Sequence, residues 1–213
     1  MQNYFNKGGE MLLHFVDIET SHLDPNQGEI TEIAIITYDL KTKDVLTFVE
    51  KIKLEKPENA DQKSLEIGNY DEKIWNRDAV KFSSVAEYIS KKLSKGYFVA
   101  HNVSFDYSFV KKQLKECGFN RITYKKFDTK DLVFEHLYPT LSSTSMMSVR
   151  DFFGWSMEKS HTALKDAEDC FKIYLMLNKC GWLKRNYYTI RYRLRNFLIN
   201  SKYSWVQLLA LYI

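Results

Sequence analysis

The stretch LLHFVDIET, residues 12–20, decides the fold. Leu12 to Val16 is a short, nearly continuous apolar run, the mark of a central strand covered on both faces. Asp17 and Glu19 stand at the end of that strand. Strand side chains alternate between faces, so residues two apart project to the same side. Two carboxylates at the tip of an apolar strand repel one another unless a cation sits between them. Alone, Asp17-Ile18-Glu19-Thr20 would read as a solvated exit from a strand, the commoner setting for so short a pattern. Its context, directly after Phe15-Val16 and ahead of Glu32-Ile33-Ala34, favours a site.

Working outward, Ile30–Tyr38 reads as a second strand. Asp39 to Lys43 turns into a third strand, Val45–Ile52, and the three form an antiparallel meander. Residues 57–78 are polar with brief helical stretches. Phe82, Val85, Ala86, Ile89 and Leu93 recur at helical spacing, with Ser83 or Ser84 available as the cap. After Gly96, residues 97–101 read as a strand, and Ser104 caps a helix that ends near Gly118. Ile122–Phe127 is the expected last strand. Asp128 or Thr129 then opens a helix that Pro139 ends, a short helix over 147–153 stops at Gly154, and a long one runs from His161 to Lys179 before Gly181. Three strands followed by alternating helices and strands indicate an α/β fold with a mixed five-stranded sheet flanked by helices.

Two further segments carry chemistry. Asp106 falls in the first turn of the helix after His101-Asn102, where the helix dipole favours acids in any case. The strand before it ends at the same sheet edge as Asp17, the edge where ligands of open α/β sheets gather. Phe105 and Phe109 read as core residues; the alternative for Phe105 is to offer a face to a base. On the long helix, Ala163, Ala167, Cys170 and Ile173 share the face of Asp166. Asp166 is therefore an acid on a small, core-facing stripe, which requires a cation or strong donors. His161 precedes the first turn, where a loop can bring its imidazole over the acids. An imidazole titrates close to neutrality and can activate water.

Composition sets limits. At 213 residues the chain has room for one domain and an appendage. The net charge of +4 is mild and does not by itself demand a polyanionic partner. Three cysteines without metal-type spacing point to free thiols and a reducing compartment, and no apolar run spans a bilayer, so the cytoplasm is the expected location and no membrane partner is expected. Lys7-Gly8-Gly9-Glu10 before Met11 can encode a purine-rich ribosome-binding sequence, so residues 1–10 read either as an extension or as lying upstream of the true start.

The segments FVDIET, ITEIAII, HNVSFDYSFV, FDTKDL and HTALKDAEDC resemble the successive motifs of the DEDD (DnaQ-like) superfamily of 3′–5′ exonucleases. The histidine five residues before the last aspartate matches its DEDDh subgroup, which includes proofreading exonucleases, RNase T and oligoribonuclease. The resemblance covers about Leu12 to Leu177 and implies an RNase H-like fold, with residues 11–180 as the exonuclease domain and 181–213 as a basic, aromatic tail. It implies two Mg²⁺ or Mn²⁺ ions. Asp17 would bridge both, Glu19 and Asp166 would complete one site, Asp106 would hold the second partly through water, and His161 would be the general base. By the same resemblance Thr20, Leu23, His101, Asn102 and Phe105 would bind the terminal nucleotide. Many relatives carry Thr-Gly or a similar small pair where this chain has Ser21-His22, which puts substrate preference in question.

In the tail, Lys184, Arg185, Arg191, Arg193 and Arg195 interleave with Tyr187, Tyr188 and Tyr192, followed by Lys202, Tyr203 and Trp205. One reading is a grip on single-stranded nucleic acid. The other is an amphipathic helix packed through Ile190, Leu194, Phe197 and Leu198 with a basic solvated face. The expectation is a metal-dependent 3′–5′ exonuclease acting on single-stranded 3′ ends, DNA first, of proofreading or repair type and with a DNA polymerase as a conceivable partner. An exoribonuclease is the alternative within the class, and an inactive module binding nucleic acid or a polymerase is the alternative outside it.

Overall fold

A computed structural model describes residues 12–157, 161–178 and 180–199. Residues 1–11, including the Met11 question, and the tail residues Lys202, Tyr203 and Trp205 lie outside them. The strands are β1 (Leu12–Thr20), β2 (Ile30–Asp39), β3 (Val45–Lys51), β4 (Tyr97–Ala100) and β5 (Lys126–Asp128). The helices are α1 (Gln62–Ile67), α2 (Glu72–Asp78), α3 (Phe82–Lys92), α4 (Val103–Glu116), α5 (Thr129–Leu137), α6 (Met146–Phe153), α7 (Ala163–Leu177) and α8 (Trp182–Ile199). The sheet order is β3-β2-β1-β4-β5, with β1–β2 and β2–β3 antiparallel and β1–β4 and β4–β5 parallel. The expected meander and mixed five-stranded sheet are both present. The chain divides into two units: residues 1–129 with 159–172, and residues 130–158 with 173–213.

In the first unit β1 is central, as its apolar run implies. Its even-numbered residues Val16 and Ile18 join Ile33, Ile35, Phe82, Ile89, Phe109 and Leu114 in one buried cluster. Its odd-numbered face meets α7 through Phe15 and Phe171, whose ring centroids are 4.9 Å apart. The same face carries Asp17 and Glu19, so the strand's alternation turns both acids toward the helix bearing Asp166. His14 looks the other way and is buried. Its Nε2 hydrogen donates to the Lys95 carbonyl at 3.0 Å, which leaves Nδ1 to accept from the Thr37 hydroxyl, also at 3.0 Å. Burial holds its pKa down, to about 4.

Three local expectations are corrected. The last strand is only Lys126–Asp128, because Thr123 is drawn off the ladder. Its N–H donates to the Leu93 carbonyl and its hydroxyl to the Gly96 carbonyl, both at 2.8 Å. Neither Ser83 nor Ser84 caps α3; the cap position is Lys81, and the Ser84 hydroxyl donates back to its carbonyl. Ser104 does not cap α4 either; it lies inside the helix, and the position before the first residue is Asn102. The polar stretch 57–78, by contrast, holds the brief helices expected of it, α1 behind Asp61 and α2 behind Asp71. Trp75 of α2 is buried, its indole N–H donating to the Thr31 carbonyl at 2.7 Å.

In the second unit α8 is the helix expected of the tail, but its packing face differs. Tyr188 meets Phe153 edge-on, Tyr192 lies against Phe152, and Arg195 reaches the carboxylate of Asp151 at 2.8 Å. Of the four apolar residues expected to pack, only Leu198 is buried. Aromatic and guanidinium side chains at steps of four and three suit the aromatic surface of α6 better than the aliphatic stripe does.

Candidate active site

The parallel strands β1, β4 and β5 end at one edge of the sheet; Asp17, Glu19 and Thr20 close β1, His101 and Asn102 directly follow β4, and Asp106 and Asp166 stand in the first turns of α4 and α7. Asp17, Glu19 and Asp166 each place a carboxylate oxygen within 4.8 Å of the others. The first two come from β1 and the third from the first turn of α7, with Ala163, Ala167, Cys170 and Ile173 buried as that helix's inner stripe. Neither Asp106 nor His161 falls within that mutual distance. Asp106 comes off α4, one strand away, and is buried; its charge nonetheless reaches Glu19. His161 is exposed, two residues before α7.

Glu19 registers the density of charge. Burial first, then the carboxylates of Asp166, Glu32 and Asp106, push its pKa up to about 8. Gly68, which ends α1, lies so close that an added Cβ would sit 3.2 Å from a Glu19 oxygen. The donors are hard carboxylate oxygens, which match Mg²⁺, Mn²⁺ or a similar divalent cation better than a thiophilic one. The thiol of Cys170, on the same helix, is fully buried, and burial pushes its pKa well up, so it stays protonated. This acidic cluster fits divalent-metal dependence.

Three supports escape a reading of the sequence. Glu32, which pairs with Glu19 across β1 and β2, accepts the Ala163 N–H at 2.9 Å and an ammonium hydrogen bond from Lys51 at 3.2 Å. A buried carboxylate thus closes the start of α7 and fixes where Asp166 stands. Asp128 does the same for α4: its two oxygens accept the N–H groups of Asn102 at 3.2 Å and Val103 at 3.0 Å. Asn102 is in the left-handed region, with φ of 99°, and makes no side-chain cap of its own. His161 is also left-handed, with φ of 63°, and its carbonyl accepts the Asn69 side-chain amide at 2.8 Å. Such backbone positions cost about 1–3 kcal/mol in non-glycine residues and gather at functional sites. Asp169, by contrast, is a fully buried acid matched by Lys165 and Lys172 and is structural; the i,i+4 and i,i+3 spacing of its partners is the readable signal.

The expected nucleotide-binding residues have separate local settings. The Thr20 hydroxyl donates to the His22 carbonyl at 3.0 Å, and His22 Nδ1 accepts the Asp24 N–H at 2.9 Å, so the loop after β1 is internally braced. Leu23 is 72% exposed. His101 Nδ1 is 2.9 Å from the Thr129 hydroxyl, and Asn102 is exposed. Phe105 is half-buried against Phe109 and the core cluster.

A family model described as Exonuclease (RNase T) matches residues 15–174, which takes in all of these segments. The chain belongs to the exonuclease family. Among its relatives, the 3′-5′ exonuclease DinG of Staphylococcus saprophyticus is 33% identical over 154 residues, 71% of this chain and 16% of that protein. The DinG protein of Staphylococcus aureus is 33% identical over 100 residues, 47% of this chain and 11% of that protein. The chain thus spans about a sixth or less of the relatives it matches. Among solved structures, the zinc-bound complex of Escherichia coli exonuclease I with single-stranded DNA superposes with a TM-score of 0.69 at 16% identity, over 95% of this chain and 45% of that one. Cell-death related nuclease 4 gives a TM-score of 0.61 at 16% identity, over 77% of this chain and 62% of that one. The fold of this exonuclease-family chain is the RNase H-like fold expected from its motifs. Among the described residues, no helix is long and apolar enough to cross a membrane.

Proposed function

We propose that this chain is a 3′–5′ exonuclease of the DEDDh type that removes nucleoside 5′-monophosphates from the 3′ end of single-stranded nucleic acid, with DNA as its substrate. The carrying observation is the triplet of Asp17, Glu19 and Asp166 oxygens within 4.8 Å at the carboxyl edge of the parallel strands. In this reading Asp17, Glu19 and Asp166 would hold one divalent ion and Asp17 and Asp106 would hold a second, both Mg²⁺ or Mn²⁺. When bound, the ions would neutralise phosphate charge and acidify the attacking water. His161, exposed two residues before α7, would take the proton from that water on an imidazole nitrogen. Glu32 and Asp128 fix the first turns of α7 and α4, so the acids converge without reorganising. By the family resemblance Thr20, Leu23, His101, Asn102 and Phe105 would contact the terminal nucleotide. The domain runs over residues 11–180.

The test is digestion of matched 5′-labelled DNA and RNA, single- and double-stranded, with Mg²⁺, Mn²⁺ or EDTA. Stepwise shortening of single-stranded DNA that EDTA stops, and that Asp17→Ala or Asp166→Ala abolishes with the fold intact, is the expected result. Wild-type rates in either variant refute the metal assignment, and faster loss of RNA would make the chain an exoribonuclease.

A further inference from the structure

The side of α8 opposite its contact with α6 holds an unassigned surface. Leu183, Tyr187, Ile190, Leu194 and Phe197 recur at alternating steps of four and three, and all five are between 44% and 77% exposed. That spacing gathers side chains into one narrow stripe, the seam through which paired helices interlock. The positions bordering the seam are Lys184, Asn186, Arg191, Arg193 and the buried Leu198, and α8 as a whole contains no acid. Border residues of this kind choose the partner, because they face the borders of the opposing helix.

We propose that this stripe docks an amphipathic helix of a partner protein whose own apolar seam is bordered by Asp and Glu. Charge decides the occupant. A second copy of α8 would set Lys184, Arg191 and Arg193 against the same cations. Residues 200–213 bring a lysine and no acid, so they do not complement it either. Single-stranded nucleic acid favours successive rings to stack on, whereas the two rings of the stripe, Tyr187 and Phe197, are separated by the aliphatic Ile190 and Leu194. A bilayer surface favours a broad apolar face, but here the stripe is two residues per heptad and the opposite face is held to α6 by Tyr188, Tyr192 and Arg195.

The full chain is titrated with a labelled three-heptad peptide carrying Ile and Leu on the seam and Glu on both borders. A second peptide has Lys in place of Glu; phosphatidylserine vesicles and a single-stranded oligonucleotide are the other arms. The Glu-bordered peptide should bind at least about tenfold more tightly than the Lys-bordered one. Leu194→Asp, an exposed position, should abolish that binding with the circular dichroism spectrum unchanged. Combined Lys184→Glu, Arg191→Glu and Arg193→Glu should invert the preference between the peptides. Equal binding of both peptides, or binding that survives Leu194→Asp, overturns the proposal. So does a Leu194→Asp loss seen only in vesicle binding, oligonucleotide binding or self-association.

Discussion

Glu19→Gln should stabilise the metal-free protein at alkaline pH, although it removes a residue assigned to the metal site. Burial and three neighbouring acids raise the Glu19 pKa from 4.5 to about 8. As pH rises through 4.5, the unfolded chain gives up this proton while the folded chain keeps it until about 8. Stability is therefore full below 4.5, falls across that window and levels off above it. At about 1.4 kcal/mol for each tenfold change in proton affinity, the loss reaches about 5 kcal/mol. The substituted glutamine would be neutral throughout and nearly the same shape. For a chain of this size each kcal/mol moves Tm by about 2–4 °C, so the variant should melt about 10 °C higher or more near pH 8.5 in EDTA. At about pH 4.5 the two proteins should melt together. Saturating Mg²⁺ should raise the wild type at about pH 8.5 and leave the variant largely unmoved, since a cation among the acids replaces the proton. Differential scanning fluorimetry from about pH 4.5 to 9, with EDTA or Mg²⁺, reads all of this. A pH-independent difference in EDTA, or a wild type that is the more stable partner at alkaline pH, would refute the reasoning.

His161→Ala should lower kcat on single-stranded DNA by about 10²–10⁴-fold, the usual range for a lost general base; an unaltered pH–rate profile would remove it from that role. Glu32→Gln should cost about 1–2 kcal/mol by denaturant unfolding, because an uncharged amide then faces the start of α7. It should also lower kcat severalfold with KM little changed, and wild-type turnover would show that Asp166 does not depend on it. His14 carries the opposite pH signature from Glu19. Its depressed pKa means stability is complete above 6.5 and lost as pH falls through about 4, by about 3 kcal/mol, and His14→Gln should flatten that acid limb.

Most of the architecture and the three clustered acids, Asp17, Glu19 and Asp166, can be read from the chain, because both rest on local spacing. The apolar run before Asp17 announces the central strand, and the i,i+2 spacing announces a shared face. The stripe of Ala163, Ala167, Cys170 and Ile173 announces the inward side of α7. What cannot be read rests on partners distant in sequence. The N-terminus of α4 is closed by Asp128, twenty-five residues from Val103, so the nearest serine is a natural choice of cap and the wrong one. The start of α7 is closed by Glu32, 131 residues before Ala163. Thr123 leaves the expected strand for carbonyls of Leu93 and Gly96. Periodicity reports which face a residue is on; it says nothing about which backbone group a buried carboxylate will meet.

This division explains why the tail is only half legible. Its helical period is plain, yet either of two stripes could be the packed one: Ile190, Leu194 and Phe197, or Tyr188, Tyr192 and Arg195. Hydrophobicity alone favours the first. The second wins because Asp151 and the rings of Phe152 and Phe153 on α6 supply both a carboxylate for the guanidinium and edges for the tyrosines. Choosing the polar-aromatic face leaves the aliphatic one in water, at a cost of about 25 cal/mol for each Å² of apolar surface left exposed. A helix that spends its best burial surface on solvent, and borders it with cations of one sign, is arranged for an acidic counterpart.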